Sequence, residues 1–325
     1  MFDLIKRLVG VFGVSGNEED VREFIVQEIK DKVDEIRTDA LGNLIAVKKG
    51  SGKKIMVAAH MDEIGIMVTH IDKNGFLRFS NIGWVSQFYA LSQRVQFKNG
   101  TVGVVFYEEK LEEMKNLKLS NMYIDIGARN REEAEKKVKI GDTAGFYGET
   151  VLMEDTIISK ALDNRCGCAI AIKTIQNLPK TENEIYFVFT VQEELGLRGA
   201  KTAAFPLNPD MAIAIDVTDT GDTPESQIME VKLGKGPAIK VKDSSIICHP
   251  VVKRLMEEAA IKNNLPYQFE ILNSGGTDVG AIHQVAGGIP SGAISIPCRY
   301  IHSVSESASM SDIENAVKLL TYSII

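Results

Sequence analysis

The sequence predicts an α/β protein in which a mixed central sheet carries helices on both faces and is interrupted by a small inserted β domain. Three observations predict this fold. The chain has 325 residues, more than a usual single domain. Strand-like apolar runs alternate with helical patterns in its first and last parts. Between them, short β-like runs are separated by glycines. We expect an α/β domain of residues 1–66 and 159–325 and an inserted domain of residues 67–158.

Composition and charge indicate an ordinary globular protein. Apolar residues make up 44% of the chain and charged residues 25%. The net charge is 37 − 44 = −7, which argues against a nucleic-acid partner, because such a surface needs clustered Lys and Arg. No apolar run has the length of a membrane span, and the opening residues do not have the pattern of a secretory signal. Four cysteines without disulfide or zinc-ribbon spacing favour a reducing compartment, so we expect a cytoplasmic location and no membrane partner.

The first part of the chain starts with two helical patterns. The second, "NEEDVREFIVQEIKDKV", has acidic first-turn residues, and Asn17 is its predicted cap. Two short strands, "EIRT" and "NLIAVKKG", flank the turn "DALG". The continuous apolar run "KKIMVAAHMDEIGIMV" is then typical of a central strand that is covered on both faces.

The middle and last parts of the chain have different sequence patterns. From about residue 67 to about 158, glycine-separated short runs and one helix, "NREEAEKKV", predict a small β-barrel or sandwich. After that segment the alternation returns, with predicted strands "EIYFVFTV", "DMAIAIDV" and "GGIPSGAISIP". The predicted helices are "DNRCGCAIAIKTIQNL", "PVVKRLMEEAAIKNN" and "SDIENAVKLLTYSII".

Potential metal ligands follow the predicted α/β strands. In open α/β sheets, the edge at the carboxyl ends of the strands is where ligands bind. The candidates stand at those strand ends or at the start of a helix: His60, Asp163, Glu194, Asp216 and His302. This donor set lacks a thiolate and suits zinc, cobalt or manganese. It therefore predicts a metal site at this edge.

The number of donors favours two ions over one. Two divalent ions about 3.5–4 Å apart need a carboxylate that bridges them. Asp163 is the best bridge, since it alone lies on a helix that faces the strand ends. His60 and Asp216 could complete one ion, and Glu194 and His302 the other.

The adjacent glutamates Glu193 and Glu194 are expected to have two different roles. Neighbouring side chains on an extended segment point in opposite directions, so one should coordinate and the other should face the substrate. A free carboxylate beside a metal-activated water is suited to act as a general base. Asp62, two residues after His60, can orient that imidazole.

Simpler explanations exist for each residue alone. A single acidic residue at a strand end is more often a helix cap or a solvated group, but convergence from five segments favours the metal site. We expect His70, His249 and His283 to lie outside the site, as a solvent-facing, a helix-start and a packed residue. The glycine-rich "NSGGTDVGAIH" lacks a full phosphate-binding fingerprint, and we interpret it as a substrate-facing loop.

At these residues the sequence resembles the TET aminopeptidase family. Its members are cytoplasmic di-metal peptidases, also described as glutamyl, leucyl or deblocking aminopeptidases and sometimes as endoglucanase-like. The matching motifs occur in the family's order: "AAHMDEIGIMV", "SKALDNRCG", "VQEELGLRGA", "AIDVTDTGDTP", "SGGTDVGAIH" and "SIPCRYIHS". "HSVSE" departs from the expected "HSPVE", and "GWVSQFYALSQRV" is an untypical version of a motif in the insert.

The resemblance implies specific roles and an architecture. It implies Asp163 as the ligand shared by two metal ions, with His60 and Asp216 on one ion and Glu194 and His302 on the other. It implies that Glu193 is the general base, that Asp62 supports the ligands, and that a cis peptide bond follows Asp163. The fold would be zinc-peptidase-like. The insert would be a PDZ-like dimerisation domain, and six dimers would form a hollow dodecamer.

The expected function is removal of N-terminal residues from peptides that have a free amino group, with two Zn²⁺ or Co²⁺ ions, or Mn²⁺. One alternative keeps the metals but acts on N-acyl amino acids or carboxyl termini. A glycoside hydrolase would use two carboxyls about 5–9.5 Å apart. That alternative is weakened by the low aromatic content of 7% and the single Trp. A non-enzymatic assembly protein is a third alternative, which the presence of Glu193 disfavours.

Overall fold

The computed structural model describes all 325 residues, and an 11-stranded mixed sheet forms its centre. The strands of the chain are β1 Glu35–Thr38, β2 Leu44–Lys48, β3 Lys54–His60, β4 Gly65–Ile71, β5 Leu77–Ile82, β6 Arg94–Phe97, β7 Val102–Tyr107, β8 Met122–Asp125, β9 Thr143–Tyr147, β10 Val151–Met153, β11 Thr156–Ser159, β12 Glu184–Thr190, β13 Met211–Thr218, β14 Ala238–Lys242, β15 Gln268–Ile271, β16 Ser291–Arg299 and β17 Glu306–Ser309.

Nine α-helices accompany these strands, together with two single-turn 3₁₀-helices. The α-helices are α1 Phe2–Val9, α2 Glu19–Ile29, α3 Gln87–Ala90, α4 Arg131–Glu135, α5 Leu162–Asn177, α6 Arg198–Leu207, α7 Pro250–Lys262, α8 Val279–Ile282 and α9 Met310–Ile324. The 3₁₀-helices are Met114–Asn116 and Leu119–Asn121. None of the helices combines the length and the apolar character that crossing a lipid bilayer requires.

The large sheet places four parallel strands side by side at its centre. Its order is β1-β2-β12-β3-β13-β16-β17-β11-β10, and β14 and β15 branch from β16. β12, β3, β13 and β16 run parallel to one another, whereas the pairs β1–β2, β2–β12, β16–β17, β17–β11 and β11–β10 toward the two ends are antiparallel. Because the central strands share one direction, their carboxyl ends meet at one edge of the sheet.

Helices cover both faces of the sheet, as the sequence predicts. α1, α2, α5, α7 and α9 pack on one face in the largest apolar core, and α6 and α8 pack on the other. Six of the seven residues of β12 are buried, which is typical of a strand that is covered on both sides. This double coverage explains why the central strands are apolar runs rather than alternating patterns.

The inserted β segment forms a closed barrel with its own core. Its strand order is β4-β5-β8-β7-β6-β9, so the sandwich alternative is excluded. Along β7, side chains alternate between exposed and buried positions, as expected for a strand that faces a barrel interior on one side. The predicted single helix of the insert is α4, capped by Asn130, and the short α3 adds a second.

Two expectations for the first part of the chain were wrong. The N-cap of α2 is Glu18 and not Asn17, and the Glu18 carboxylate accepts hydrogen bonds from the backbone N–H groups of Gly16 and Gln192. The long apolar run is also not one strand. It divides into β3 of the sheet and β4 of the barrel, because the chain leaves the sheet after His60.

The barrel ends earlier in the sequence than the predicted insert. β10 and β11 lie within or at the end of the segment 67–158, yet β11 pairs with β17 of the large sheet and β10 pairs with β11. Short strands beside glycines look alike in sequence wherever their partner lies, which explains the difference. The barrel strands themselves end at Tyr147. The domain limits of 1–66, 67–158 and 159–325 stay a prediction.

The main core predicts how much one aromatic side chain contributes to stability. Phe187 in β12 is fully buried, whereas Phe205 in α6 is 68% exposed. We expect Phe187→Ala to lower the free energy of unfolding by about 3–5 kcal/mol, because it leaves a cavity. Phe205→Ala, the matched control, should change it by less than about 0.5 kcal/mol. Denaturant titration followed by circular dichroism measures both, and equal effects would contradict this packing.

Candidate metal centre

Residues from five separate segments converge at the carboxyl edge of the central strands. His60 ends β3, Asp216 lies near the end of β13, and Glu194 stands in the turn after β12. His302 lies in the loop between β16 and β17. Asp163 lies at the non-helical start of α5, and its peptide bond to Asn164 is cis, as the resemblance implies. The strand directions bring these residues together, since four parallel strands end at the same edge.

The first donor group consists of His60, Asp163 and Asp216. The Nε2 atom of His60 lies 3.0 Å from Oδ1 of Asp163 and 3.5 Å from Oδ1 of Asp216. One potential ligand atom from each residue lies within 4.8 Å of the others, and all three residues are buried. The Nδ1 atom of His60 lies 3.2 Å from the carbonyl oxygen of Asp62. A proton on Nδ1 that is donated to this carbonyl leaves Nε2 free to bind a metal.

The second donor group consists of Asp163, Glu194 and His302. The Nε2 atom of His302 lies 3.2 Å from Oδ2 of Asp163 and 3.3 Å from Oε2 of Glu194. These ligand atoms also lie within 4.8 Å of one another. The two oxygens of Asp163 thus face different histidines, one in each group. A carboxylate in this position can bridge two ions.

The chemistry of the donors fits divalent cations. Five oxygen or imidazole donors without a thiolate suit zinc, cobalt or manganese. The Oε1 atom of Glu194 is buried without a hydrogen-bond partner, which is costly unless a cation satisfies it. Burial also raises the pKa of Glu194 to about 7. Burial acts to lower the pKa of His302, but hydrogen bonds to Asp163 and Glu194 outweigh it and raise the pKa to about 11. The clustered carboxylates therefore require positive charge.

The adjacent glutamates lie in different places. Glu194 belongs to the second donor group, whereas Glu193 is in neither. The Oε2 atom of Glu193 lies 3.9 Å from Nε2 of His60, so its carboxylate borders the first group. Burial raises the pKa of Glu193 well above its usual value. The preceding Gln192 has φ of +53°, so the chain turns directly before the two glutamates.

Asp62 lies next to the His60 imidazole, as the sequence predicts, and it also accepts hydrogen bonds from the turn that carries the two glutamates. Its Oδ1 atom lies 3.5 Å from Nδ1 of His60 and accepts a 3.0 Å hydrogen bond from the N–H of Glu193. Its Oδ2 atom accepts hydrogen bonds from the Ser15 hydroxyl at 2.6 Å and from the N–H of Glu194 at 3.2 Å. One buried carboxylate therefore ties β3 to the turn that carries both glutamates.

The N-terminal segment contacts both the turn after β12 and the helix α5, and neither contact was predicted from the sequence. Glu18 accepts a 3.0 Å hydrogen bond from the N–H of Gln192. The fully buried Arg165 donates to the carbonyl oxygens of Leu8 at 2.6 Å and Val11 at 3.1 Å, and its NH2 atom lies 3.3 Å from Oε1 of Glu63. Nothing in the local sequence marks these contacts, because their partners, which are mostly backbone atoms, lie far along the chain.

Two further buried carboxylates near the site were also missed. Glu306 accepts hydrogen bonds from the N–H groups of Asp163 at 3.0 Å and His302 at 2.7 Å. Asp278 accepts a 2.6 Å hydrogen bond from the Thr190 hydroxyl, and its Oδ1 atom is buried without a partner. Burial raises the pKa of Asp278 to about 7. Their sequence signals were their positions in "HSVSE" and "SGGTDVGAIH".

The remaining histidines lie outside both donor groups. His70 is exposed on β4, and His249 caps α7 by accepting a hydrogen bond from the N–H of Val251. The Nδ1 atom of His283 lies 2.8 Å from the carbonyl oxygen of Val279. None of the three belongs to a group of donors that could hold a metal.

The barrel contributes one wall of the site. The ring of Trp84, 64% exposed, lies 5.8 Å from the ring of His302. Gly83 has φ of +73°, and a Cβ atom there would lie 3.2 Å from Cβ of Glu194. The absence of a side chain at Gly83 therefore lets the barrel loop approach the second donor group closely.

The matching family model and two similar sequences are all named as aminopeptidases. The family model described as M42 glutamyl aminopeptidase matches residues 42–319. A protein of Acetivibrio thermocellus with a provisional aminopeptidase name is 70% identical over 324 residues, which cover 100% of this chain and 98% of its own. The lysyl aminopeptidase of Pyrococcus furiosus is 36% identical over 334 residues, which cover 98% of this chain and 95% of its own.

Solved structures of similar proteins match this chain over almost its whole length. An aminopeptidase of the archaeon Desulfurococcus kamchatkensis has a TM-score of 0.95 and 39% identity, over 99% of this chain and 94% of its own. The TET1 peptidase of Pyrococcus horikoshii, which can assemble into a tetrahedron or a large octahedral shell, has a TM-score of 0.89 and 35% identity, over 99% and 98%. The fold and the sequence thus match the same group of proteins.

The position of Asp163 between the two histidines predicts the effect of its loss. We expect the wild-type chain to bind two divalent cations, and Asp163→Asn to weaken binding at both positions by at least about tenfold, because the amide lacks the negative charge that both donor groups share and keeps only one of the two oxygens. Asp210→Asn is the matched control, since Asp210 lies exposed just before the opposite end of β13. Elemental analysis after equilibration with buffered zinc measures the bound metal. Unchanged zinc content in Asp163→Asn would contradict the shared position.

Proposed function

This chain belongs to the M42 glutamyl aminopeptidase family and is an aminopeptidase, and on that premise we propose which of its residues bind metal and which one transfers the proton. Peptidases of this family are metal-dependent, and the chain has two groups of residues that could hold a metal. The observation that carries the proposal is the placement of Asp163, whose two oxygens face the histidines of different donor groups.

We assign two divalent metal ions to the site. His60, Asp163 and Asp216 would hold one ion, and Asp163, Glu194 and His302 would hold the other. Zinc or cobalt fits this donor set, and manganese is the alternative. When bound, the ions would supply Lewis-acid activation of the scissile carbonyl group and of a water molecule, and a place for the free α-amino group.

Glu193 acts as the general base in this proposal. Its carboxylate borders the first donor group but lies outside both, so it is free to exchange protons. It takes a proton from the attacking water as the oxygen–carbon bond forms. It then delivers that proton to the nitrogen of the leaving amine as the carbon–nitrogen bond breaks. Burial raises the pKa of Glu193, which favours the uptake of a proton.

The other carboxylates keep this geometry in place. Asp62 accepts hydrogen bonds from the N–H groups of Glu193 and Glu194, so it positions the base relative to the ligand that follows it. It also lies next to His60, and we propose that it orients that imidazole. A base must be held near the reacting atoms for general-base catalysis to be effective, and a rigid turn provides that.

The proposed substrates are peptides with a free N-terminus. A free α-amino group in its neutral form has a lone pair that one of the proposed metal ions could bind, whereas an acylated nitrogen does not. Names within the family differ in the residue that is removed, since the family description is glutamyl and the Pyrococcus furiosus relative is lysyl. We therefore propose the substrate class by its free amine and not by its first side chain.

We further propose that the barrel mediates dimerisation and that six dimers form a dodecamer. β7 of the barrel exposes three apolar side chains, Val102, Val104 and Phe106, on its outer face. The assembly of the related TET1 peptidase into a tetrahedron supports this proposal, because a tetrahedron has six edges for six dimers.

We also propose that the protein is located in the cytoplasm. All four cysteines are free and buried, which supports a reducing compartment.

Replacement of the base separates metal binding from turnover. We expect Glu193→Gln to retain the wild-type metal content and to lose about 10²–10⁴-fold in kcat, because the amide cannot accept the proton of the water. Metal analysis and steady-state kinetics on an aminoacyl chromogenic substrate measure the two effects. A variant with both metals and near-wild-type turnover would refute the role of Glu193.

A second test addresses the amine requirement. We expect cleavage of a peptide with a free N-terminus and at least about 100-fold slower cleavage of the same peptide after N-acetylation, because acetylation removes the charge and the donor lone pair of the amine. Mass spectrometry of the products identifies the bond that is cut. Release of acetate or of a C-terminal residue would instead favour a deacylase or a carboxypeptidase.

A further inference from the structure

Glu306 connects two of the proposed ligands through their backbones. It is the first residue of β17 and is 2% exposed. Its Oε1 atom accepts a 2.7 Å hydrogen bond from the N–H of His302, and its Oε2 atom accepts a 3.0 Å hydrogen bond from the N–H of Asp163. One side chain thus links the start of α5 to the loop that follows β16.

Both oxygens of Glu306 face backbone N–H groups and not the ligand atoms of the donor groups. It belongs to neither group of donors that could hold a metal. Asp163 and His302, by contrast, are two of the three members of the second donor group. The side chain therefore acts on the donors and not on the ion.

The loop at His302 needs such support. His302 has φ of +65° and Tyr300 has φ of +60°, a conformation that costs energy for residues with a side chain and persists only where surrounding contacts hold it. The hydrogen bond from the N–H of His302 to Glu306 is one such contact. The same carboxylate fixes Asp163, so the distance between the two ligand backbones depends on one buried group.

We propose that Glu306 is a positioning residue that holds Asp163 and His302 at the spacing that the second metal requires. This inference rests on the proposed function, in which these two residues bind that metal. A carboxylate is required at this position because both partners are N–H donors. An amide would present an NH₂ group to one of them, and a shorter side chain would not reach both.

Asp312 offers a matched control elsewhere in the fold. It is 1% exposed, and its two oxygens accept 2.7 Å hydrogen bonds from the N–H groups of Gly234 and Gly236. The arrangement is the same as at Glu306, with one buried carboxylate and two backbone donors. None of these three residues belongs to the donor groups.

The experiment measures zinc affinity and not activity. Wild type, Glu306→Gln and Asp312→Asn are stripped of metal and titrated with Zn²⁺ against a chromogenic chelator, with thermal melting in chelator as a measure of stability. We expect Glu306→Gln to weaken at least one of the two zinc sites by about 10–100-fold, in line with the loss of other groups that support metal ligands. Asp312→Asn should lower the melting temperature but leave both zinc affinities within about threefold of wild type.

The possible outcomes are distinct. If wild type fails to bind two zinc ions, the proposed assignment of two zinc ions to the donor groups, on which the inference rests, is wrong. If wild type binds two and Glu306→Gln binds them equally well, only the inference about Glu306 is wrong, even where the variant melts earlier. Should Glu306→Gln not fold by circular dichroism, Glu306→Asp provides the same test. Weaker zinc binding in that variant supports the inference, and wild-type affinity overturns it.

Discussion

The shared carboxylate of Asp163 is the interaction on which the rest of the site depends. It lies between two histidines, with Asp216 beside one of them and Glu194 beside the other. Carboxylates placed this close together in a buried site repel one another and lose hydration, so they are stable only when positive charge is supplied. The donor set supplies a place for that charge, because its oxygen and nitrogen atoms form two groups with Asp163 in both.

A second set of carboxylates solves a different problem, the position of the backbone. Asp62, Glu18 and Glu306 lie around the site and accept hydrogen bonds from backbone N–H groups of residues in or next to the donor set. Charge-assisted hydrogen bonds of this kind are stronger than those between neutral groups. They hold turns in which Gln192 and His302 adopt positive φ values. The carboxylates at this edge therefore include both potential metal ligands and groups that hold the backbone of those ligands in place.

The sequence indicated which residues meet at this edge better than it indicated the residues that support them. His60 and Asp216 were found because each lies at or near the end of an apolar run, and parallel strand direction converts such ends into one edge. Glu306 was not found, because its partners are backbone N–H groups that no residue type reveals. Arg165 was not found either, because its partners are backbone carbonyl oxygens and Glu63, which lies 102 residues away in the chain. Asn17 failed as a cap because a glutamate beside it had a tertiary partner in Gln192. β10 and β11 were placed with the insert because local texture does not identify a strand's neighbour, and β11 pairs with β17 of the large sheet.

The point of insertion explains why the barrel forms part of the site. The chain leaves the sheet directly after His60, at the edge where the donors meet, and returns through β10 and β11 to reach Asp163. Both connections of the barrel thus lead to residues of the first donor group. The barrel stands over this edge, where Gly83 approaches Glu194 and the ring of Trp84 lies beside the ring of His302. A shift of the barrel would therefore move a wall of the site and change the geometry around the second donor group.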